Sequence, residues 1–284
     1  MRALLWAVAL LAVQSPAPEP LTLAVAARAI QPGELVVVTV TSAVPVTTLQ
    51  ATAFMRSLSP FKVDALTWRV LVGIDLNTPP GAYRVDVGAT LPGGGRAQAA
   101  HPLTVRPKTF PTRTLTVDDA FVNPPASAEA RIAEDARALE RAWAASAPER
   151  LWSGPFVRPV PHEATSAFGS RSVFNGQPRN PHSGADFRSP TGTPVKAPNA
   201  GRVVLARDLY YSGGTVVIDH GLGLFSLFAH LSAMDVTDST SVTTGDVVGR
   251  VGATGRVTGS HLHWMVRVGG ARIDPLALLD LLGK

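Results

Sequence analysis

The chain has 284 residues, of which 45% are hydrophobic and 6% aromatic, with 24 prolines and 25 glycines. This length exceeds one small domain and fits two modest domains plus connections, while the prolines and glycines favour many turns over long helices. The formal net charge of +5 would suit nucleic acid, an anionic membrane surface or an acidic polymer of the cell envelope. Because no run rich in Lys and Arg occurs, the charge is diffuse, and no nucleic-acid partner is expected.

The N-terminus predicts export from the cytoplasm. Met1 and Arg2 precede an apolar run of 11 residues, from Ala3 to Val13, and small residues and prolines follow it. This run is too short to cross a bilayer, so we expect a signal peptide over residues 1–17 and no stable membrane span. The alternative is an N-terminal core strand. The chain has no cysteine, which excludes disulfides and lipid attachment through a cysteine.

Residues 20–105 carry a continuous strand signal. The segments Glu34 to Ser42, Leu66 to Leu76 and Ala82 to Leu91 are rich in β-branched residues and are separated by proline-glycine turns. Strands at this spacing predict a small β-sandwich. No cluster of polar side chains suggests chemistry here, so we expect a structural or targeting role.

Residues 106–154 predict a linker with one amphipathic helix. Ser127 is a candidate N-cap after Pro125, and Pro148 ends the pattern. Four apolar residues share one face at helical spacing: Ile132, Ala136, Leu139 and Trp143. This face is expected to pack against a neighbouring domain.

Short strands resume in residues 155–284, where six of the seven histidines lie after residue 160. In the predicted strand "HLHWMVRV", His261 and His263 alternate and therefore share a face, roughly 7 Å apart along the backbone. Either could face a metal. By itself the pair is weak evidence, since histidines on strands are usually satisfied by hydrogen bonds.

Two further segments add candidate ligands. In "NPHSGADF", His182 and Asp186 are four residues apart in a predicted loop, where a bend at Gly184 can bring them together. An imidazole and a carboxylate suit zinc, and three protein ligands with one water would make a catalytic site. The strand end "SLFAHLS" delivers His230, whose alternative interpretation is a half-buried histidine below Phe228.

These residues match a known pattern. The region from about Pro155 to Pro275 resembles the LytM-type, lysostaphin-like zinc metallopeptidases of peptidase family M23. The matching motifs are the HxxxD of His182, "FAHL", "GATGRVTGSHLHW", "GTPVKAPNAGRV" and "VVIDHGLG". The resemblance implies a mostly β chain in which a C-terminal antiparallel β domain of the LytM type, residues 155–284, carries the peptidase. Residues 20–105 also resemble the immunoglobulin-like region of some secreted members.

The resemblance also implies a role for each residue. His182, Asp186 and His263 would bind one Zn²⁺ per chain, while His230 and His261 would be the catalytic residues beside a zinc-activated water. Which histidine is the base and which stabilises the oxyanion stays open. The implied protein is a secreted or periplasmic zinc metalloendopeptidase of the cell envelope, and its partners are the peptides of peptidoglycan. Its oligomeric state stays open.

One departure and two alternatives accompany this interpretation. Some relatives have a tyrosine shortly before the first zinc histidine, but "VFNGQPRNPH" has none, and Arg179 or Asn175 could substitute for it. The first alternative is a catalytically silent wall-binding or amidase-activator module, which the presence of all five site residues disfavours. The second is a structural zinc module, in which protein ligands normally fill all four positions.

Overall fold

The computed structural model describes residues 20–166 and 168–283. The signal peptide predicted over residues 1–17 lies outside the described residues. The chain is mostly β, as predicted, and its sheets are mainly antiparallel. Among the residues described, no helix is both long and apolar enough to cross a membrane.

Two four-stranded antiparallel sheets form the N-terminal region, in the orders β1-β2-β6-β5 and β4-β3-β7-β8. Side chains from both sheets share one hydrophobic core, which makes this region a β-sandwich. The immunoglobulin-like assignment stays a prediction, as do the domain boundaries. The strands are β1 (Leu21–Ala27), β2 (Leu35–Ser42), β3 (Thr48–Ala53), β4 (Arg56–Leu58), β5 (Phe61–Lys62), β6 (Thr67–Gly73), β7 (Gly81–Thr90) and β8 (Arg96–Val105).

Strand β2 is buried on both faces, which explains its unbroken apolar run. Val36 and Val38 point into the core of the sandwich. Leu35 and Val37 point the other way and belong to the core of the C-terminal region. The two regions therefore share apolar contacts, and Arg272 adds hydrogen bonds of 2.8 to 3.1 Å to the Asp75 carboxylate across the boundary.

The connecting segment contributes β9 (Thr112–Leu115) and α1 (Ala126–Ala144). The helix begins one residue before Ser127, with Pro125 at the N-cap position. As predicted, it packs on the C-terminal region: Ala138 and Ala142 join a hydrophobic cluster there. Ala136 was expected on this face but is exposed, because the buried face is centred on Ala138 and Ala142.

The C-terminal region is built on a ten-stranded sheet whose main order is β10-β13-β20-β17-β16-β15-β18. Strand β9 pairs in parallel with β11 in a separate three-stranded sheet. The elements are β10 (Ala164–Ser166), β11 (Arg171–Phe174), β12 (Gln177–Pro178), β13 (Ala185–Phe187), β14 (Pro194–Lys196), β15 (Gly201–Leu209), β16 (Gly213–Gly221), β17 (Leu224–Met234), β18 (Ser241–Val242), β19 (Val247–Val251), β20 (Leu262–Val268), β21 (Ala271–Ile273) and α2 (Pro275–Leu282).

Candidate metal centre

Strand register brings two of the candidate ligands together. Asp186 on β13 is the direct partner of His263 on β20, so their side chains share one face of the sheet. His182 precedes β13 and is held by two backbone hydrogen bonds, from its N–H to the Ser170 carbonyl and from the Gly169 N–H to its carbonyl, at 2.8 and 2.7 Å. The loop thus places the His182 ring beside that pair.

The ligand atoms of these three residues form a tight triangle. His182 Nε2 lies 2.9 Å from Asp186 Oδ1 and 3.0 Å from His263 Nδ1, which is itself 2.9 Å from Asp186 Oδ1. A neutral imidazole nitrogen carries either a proton or a lone pair. With Asp186 ionised, every arrangement of protons on the two nitrogens leaves at least one of the three contacts repulsive. A cation among the three atoms removes this conflict, because all three can turn lone pairs towards it.

The donor set fits zinc. Zinc binds imidazole nitrogen and carboxylate oxygen at roughly 2.0–2.2 Å, which puts the ligand atoms of a tetrahedral site about 3.3 Å apart. The observed 2.9–3.0 Å is slightly tighter. Within the described residues, His182, Asp186 and His263 are the group of histidines and acids placed to hold a metal ion. Three protein ligands leave a tetrahedral position open to water or substrate.

Gly184 leaves room for this arrangement. A Cβ atom at this position would lie 2.7 and 2.8 Å from Cε1 and Nε2 of the His263 ring, and would also clash with the Trp264 carbonyl. The glycine therefore lets the segment before β13 pass under the His263 imidazole. The glycine at the predicted bend is thus explained by packing.

A β-bulge places His230 at the same cluster. Strand β17 pairs with β16 at Phe228 and again at Leu231, and it holds one more residue between these pairs than β16 does. His230 lies in this bulge with φ +65°, an uncommon conformation for a residue other than glycine. The strain is local and re-aims the side chain, so that the His230 ring lies 4.8 Å from the His261 ring and 6.0 Å from the His263 ring.

His230 and His261 present the same nitrogen to the cleft. His230 Nδ1 donates to the Thr254 carbonyl at 2.9 Å, and His261 Nδ1 donates to the Gly259 carbonyl at 2.8 Å. Because a carbonyl only accepts, the proton of each neutral ring is on Nδ1, and Nε2 carries the lone pair. His261 Nε2 is 3.8 Å from Asp186 Oδ1. Both rings can therefore accept a proton at Nε2.

Burial and neighbouring charges shift several pKa values at the centre. Burial, reinforced by His263 and His261, lowers the pKa of His230 to about 3. Burial likewise lowers the pKa of His263, although its hydrogen bond to Asp186 opposes this. For Asp186 burial alone would raise the pKa, but the bonds from His182 and His263 outweigh it and hold the pKa far below its usual range. These shifts favour a neutral His263 ring and an ionised Asp186 carboxylate, which are the forms that bind a metal.

All five predicted site residues line one cleft of about 510 Å³. The remaining walls include residues that sequence reasoning missed: Arg113 and Leu115 of β9, Phe174, Tyr211 and Arg256. Arg256 lies inside the "GATGRVTGSHLHW" motif, and its position there was the signal available in the sequence. Strand β9, expected to be only part of a linker, forms part of the cleft wall.

Arg179 and Asn175, suggested as substitutes for the missing tyrosine, have other partners. Arg179 donates to the Val122 carbonyl at 2.7 Å and to the Gln177 side chain at 2.9 Å. The Asn175 amide bonds both backbone groups of Val117 at 3.0 and 3.1 Å. Their role in substrate binding stays a prediction without support from these contacts.

Comparisons with known proteins match the region that holds these residues. The profile of Peptidase family M23 matches residues 180–275, which include the three candidate ligands. A crystal structure assigned to peptidase M23 from Pseudomonas aeruginosa is similar to the chain with a TM-score of 0.69 and 30% sequence identity. That likeness covers 89% of this chain and 96% of the other.

Curated relatives match over a shorter region. Peptidoglycan DD-endopeptidase ShyA of Vibrio cholerae is 42% identical over 96 residues, which cover 34% of this chain and 22% of the relative. DD-carboxypeptidase/endopeptidase Mpg of Neisseria meningitidis is 39% identical over 97 residues, with the same two coverages of 34% and 22%. The chain thus matches about a fifth of the length of these relatives.

Proposed function

Since the chain belongs to peptidase family M23, we propose that it is a zinc metalloendopeptidase that hydrolyses peptide bonds in the cross-links or bridges of peptidoglycan. The observation that carries the proposal is the triangle of ligand atoms from His182, Asp186 and His263, with His230 and His261 beside it. The names of the curated relatives support the choice of substrate.

The three ligands would hold zinc through His182 Nε2, Asp186 Oδ1 and His263 Nδ1. When bound, zinc supplies Lewis-acid chemistry, which polarises a scissile carbonyl and makes water more acidic. Asp186 lowers the net charge of the centre, and its strand pairing with His263 keeps the two ligands in register.

His230 and His261 would carry the proton transfer. Each ring accepts a proton at Nε2 while the backbone carbonyl on Nδ1 fixes its orientation. A proton taken from the attacking water can return to the leaving amine, and a protonated ring can donate a hydrogen bond to the developing oxyanion. We assign proton transfer and stabilisation of the oxyanion to His230 and His261 together.

The location proposed is the periplasm or the exterior of the cell, in contact with the envelope. The apolar run from Ala3 to Val13 and the diffuse positive charge support it, since the peptidoglycan substrate lies outside the cytoplasm.

The test is digestion of purified cell walls of different cross-link chemistry by the zinc-loaded full chain, with the released fragments identified by mass. We expect peptide fragments with new amino and carboxyl termini, and none with the Asp186→Ala variant. Wild-type protein that carries zinc and sediments with walls but releases nothing would instead be a wall-binding module. A structural zinc role is disfavoured, because the candidate group supplies three ligands and a structural site normally takes four.

A further inference from the structure

Arg256 lies in the loop between β19 and β20 and lines the same cleft as the candidate ligands. Its guanidinium carbon lies 4.9 Å from the centre of the Tyr211 ring and 5.0 Å from that of Phe174. Its backbone N–H also donates to the Tyr211 carbonyl at 2.8 Å. These contacts hold the side chain in place and shield part of it from water.

The Arg256 guanidinium has five N–H donors, yet within the described part of the chain it makes no side-chain hydrogen bond and no ion pair. Burial, only partly offset by Tyr211, lowers its pKa, and the like charge of Arg179 lowers it further. Among the residues that line the cleft, Asp186 has the one carboxylate, and the histidines already engage it. Within the described residues, no carboxylate pairs with Arg256.

The cleft wall also carries a second arginine, Arg113 on β9. A guanidinium that is stacked and partly dehydrated favours a planar anion, because it can donate two parallel hydrogen bonds to a carboxylate.

We propose that Arg256 binds a free carboxylate on the residue that supplies the leaving amine, next to the scissile bond. The preferred substrate is then a stem-peptide cross-link with this carboxylate free, rather than a bridge of uncharged glycines. This inference rests on the proposed function and deepens it by choosing between the two classes of bond.

The test uses the zinc-loaded full chain and two cross-linked stem-peptide dimers that differ only in a carboxylate or a carboxamide on the residue of the leaving amine. We expect wild type to show a kcat/KM roughly 10- to 100-fold higher for the carboxylate dimer, the range for one charge-assisted contact. Arg256→Gln should remove this preference by slowing the carboxylate dimer, with the carboxamide dimer within about 3-fold of wild type. Arg256→Lys should show a preference for the carboxylate dimer that is smaller than in wild type and larger than in Arg256→Gln.

The matched control is Arg202→Gln, which removes the same charge from an exposed position on β15 away from the cleft and should keep the preference. Zinc content and thermal stability of all variants are measured alongside. A wild type without preference, or an Arg256→Gln variant that keeps it or slows both dimers equally, would overturn the proposal.

Failure of the proposed function has a different signature: wild type then cleaves neither dimer. In that case calorimetric titration of the same two dimers tests whether Arg256 binds the carboxylate. Tighter binding of the carboxylate dimer that Arg256→Gln abolishes supports the carboxylate site, and equal binding of the two dimers refutes it.

Discussion

Two histidines in the C-terminal region, His220 and His230, are similarly buried but differ in the hydrogen bonds of their ring nitrogens. His220 on β16 is fully buried, and His230 on β17 is 9% exposed. His220 Nδ1 donates to the Ala200 carbonyl at 2.8 Å, and its Nε2 accepts from the Ser226 hydroxyl at 3.0 Å. His230 uses only Nδ1 in this way, and its ring lies among other imidazoles.

The difference shows that burial alone does not identify a functional histidine. The His220 ring has both nitrogens satisfied and lies edge-on to Phe156, so it serves the core. At the candidate metal centre, nitrogen and oxygen atoms approach each other without enough protons to satisfy them. A buried cluster with this conflict indicates a cation-binding site, and substitutions at these residues test the contrast.

The largest effect is expected from Asp186→Ala. Because the candidate group has three ligands within the described residues, the variant should lose most of the roughly one zinc per chain expected for wild type, and wall cleavage should fall to background. Metal analysis after dialysis measures the first effect and fragment release the second. Asp235→Ala, which removes a carboxylate paired with Arg250 on the surface, is the control and should keep its zinc. Full zinc occupancy in Asp186→Ala would sink the ligand assignment.

Next in size are His230→Ala and His261→Ala. The three ligands remain, so zinc should stay bound, while turnover should fall by at least ~10²-fold, the usual scale for a positioned acid or base. Since alanine is strained at the positive φ of residue 230, His230→Asn is a second variant that tolerates this backbone. Wild-type turnover in both the residue-230 variants and His261→Ala would contradict their catalytic role.

His220→Gln should lower the free energy of unfolding and leave the turnover per folded molecule unchanged. Burial, opposed only by the bond to Ala200, lowers the pKa of His220 to about 4, whereas an unfolded chain takes up the proton near 6.5. The neutral ring therefore stabilises the fold above pH 6.5, and up to about 3 kcal/mol of this is lost as the pH falls towards 4.

Urea unfolding between pH 7 and pH 4 measures this difference. The glutamine variant should be less stable at pH 7 by about 1–3 kcal/mol and should lack this part of the acid dependence. Its zinc content and its turnover per folded molecule should match wild type. An identical pH slope in the two proteins would show that His220 is not the titrating group.

The smallest effect is expected at the boundary between the two regions. Asp75→Asn keeps the shape of the side chain but removes the charge that Arg272 binds. Because the pair is only partly buried, we expect a loss of about 1 kcal/mol in the free energy of unfolding. Turnover should stay unchanged, since neither residue lines the catalytic cleft. A large loss of turnover would mean that the sandwich helps to position the cleft.

Sequence patterns predicted the strands and singled out five residues that line one cleft, because both depend on local spacing, whereas the ligand roles stay a prediction. The alternation of His261 and His263 placed both in one cleft, and the bend at Gly184 brought His182 next to Asp186. The helix face was predicted less well: Ala136 is exposed because packing against β15 and β17 selects which face is buried.

By itself, the sequence determined the mostly β architecture and the residue types that can hold a metal, since propensity and short-range periodicity are properties of neighbouring residues. Only the tertiary structure decided the pairing of Asp186 with His263, the bulge that turns His230, and the stacking of Arg256 on Tyr211. These features join residues far apart in the chain. Their geometry depends on strand register and on which faces pack together, and neither is encoded in any one segment.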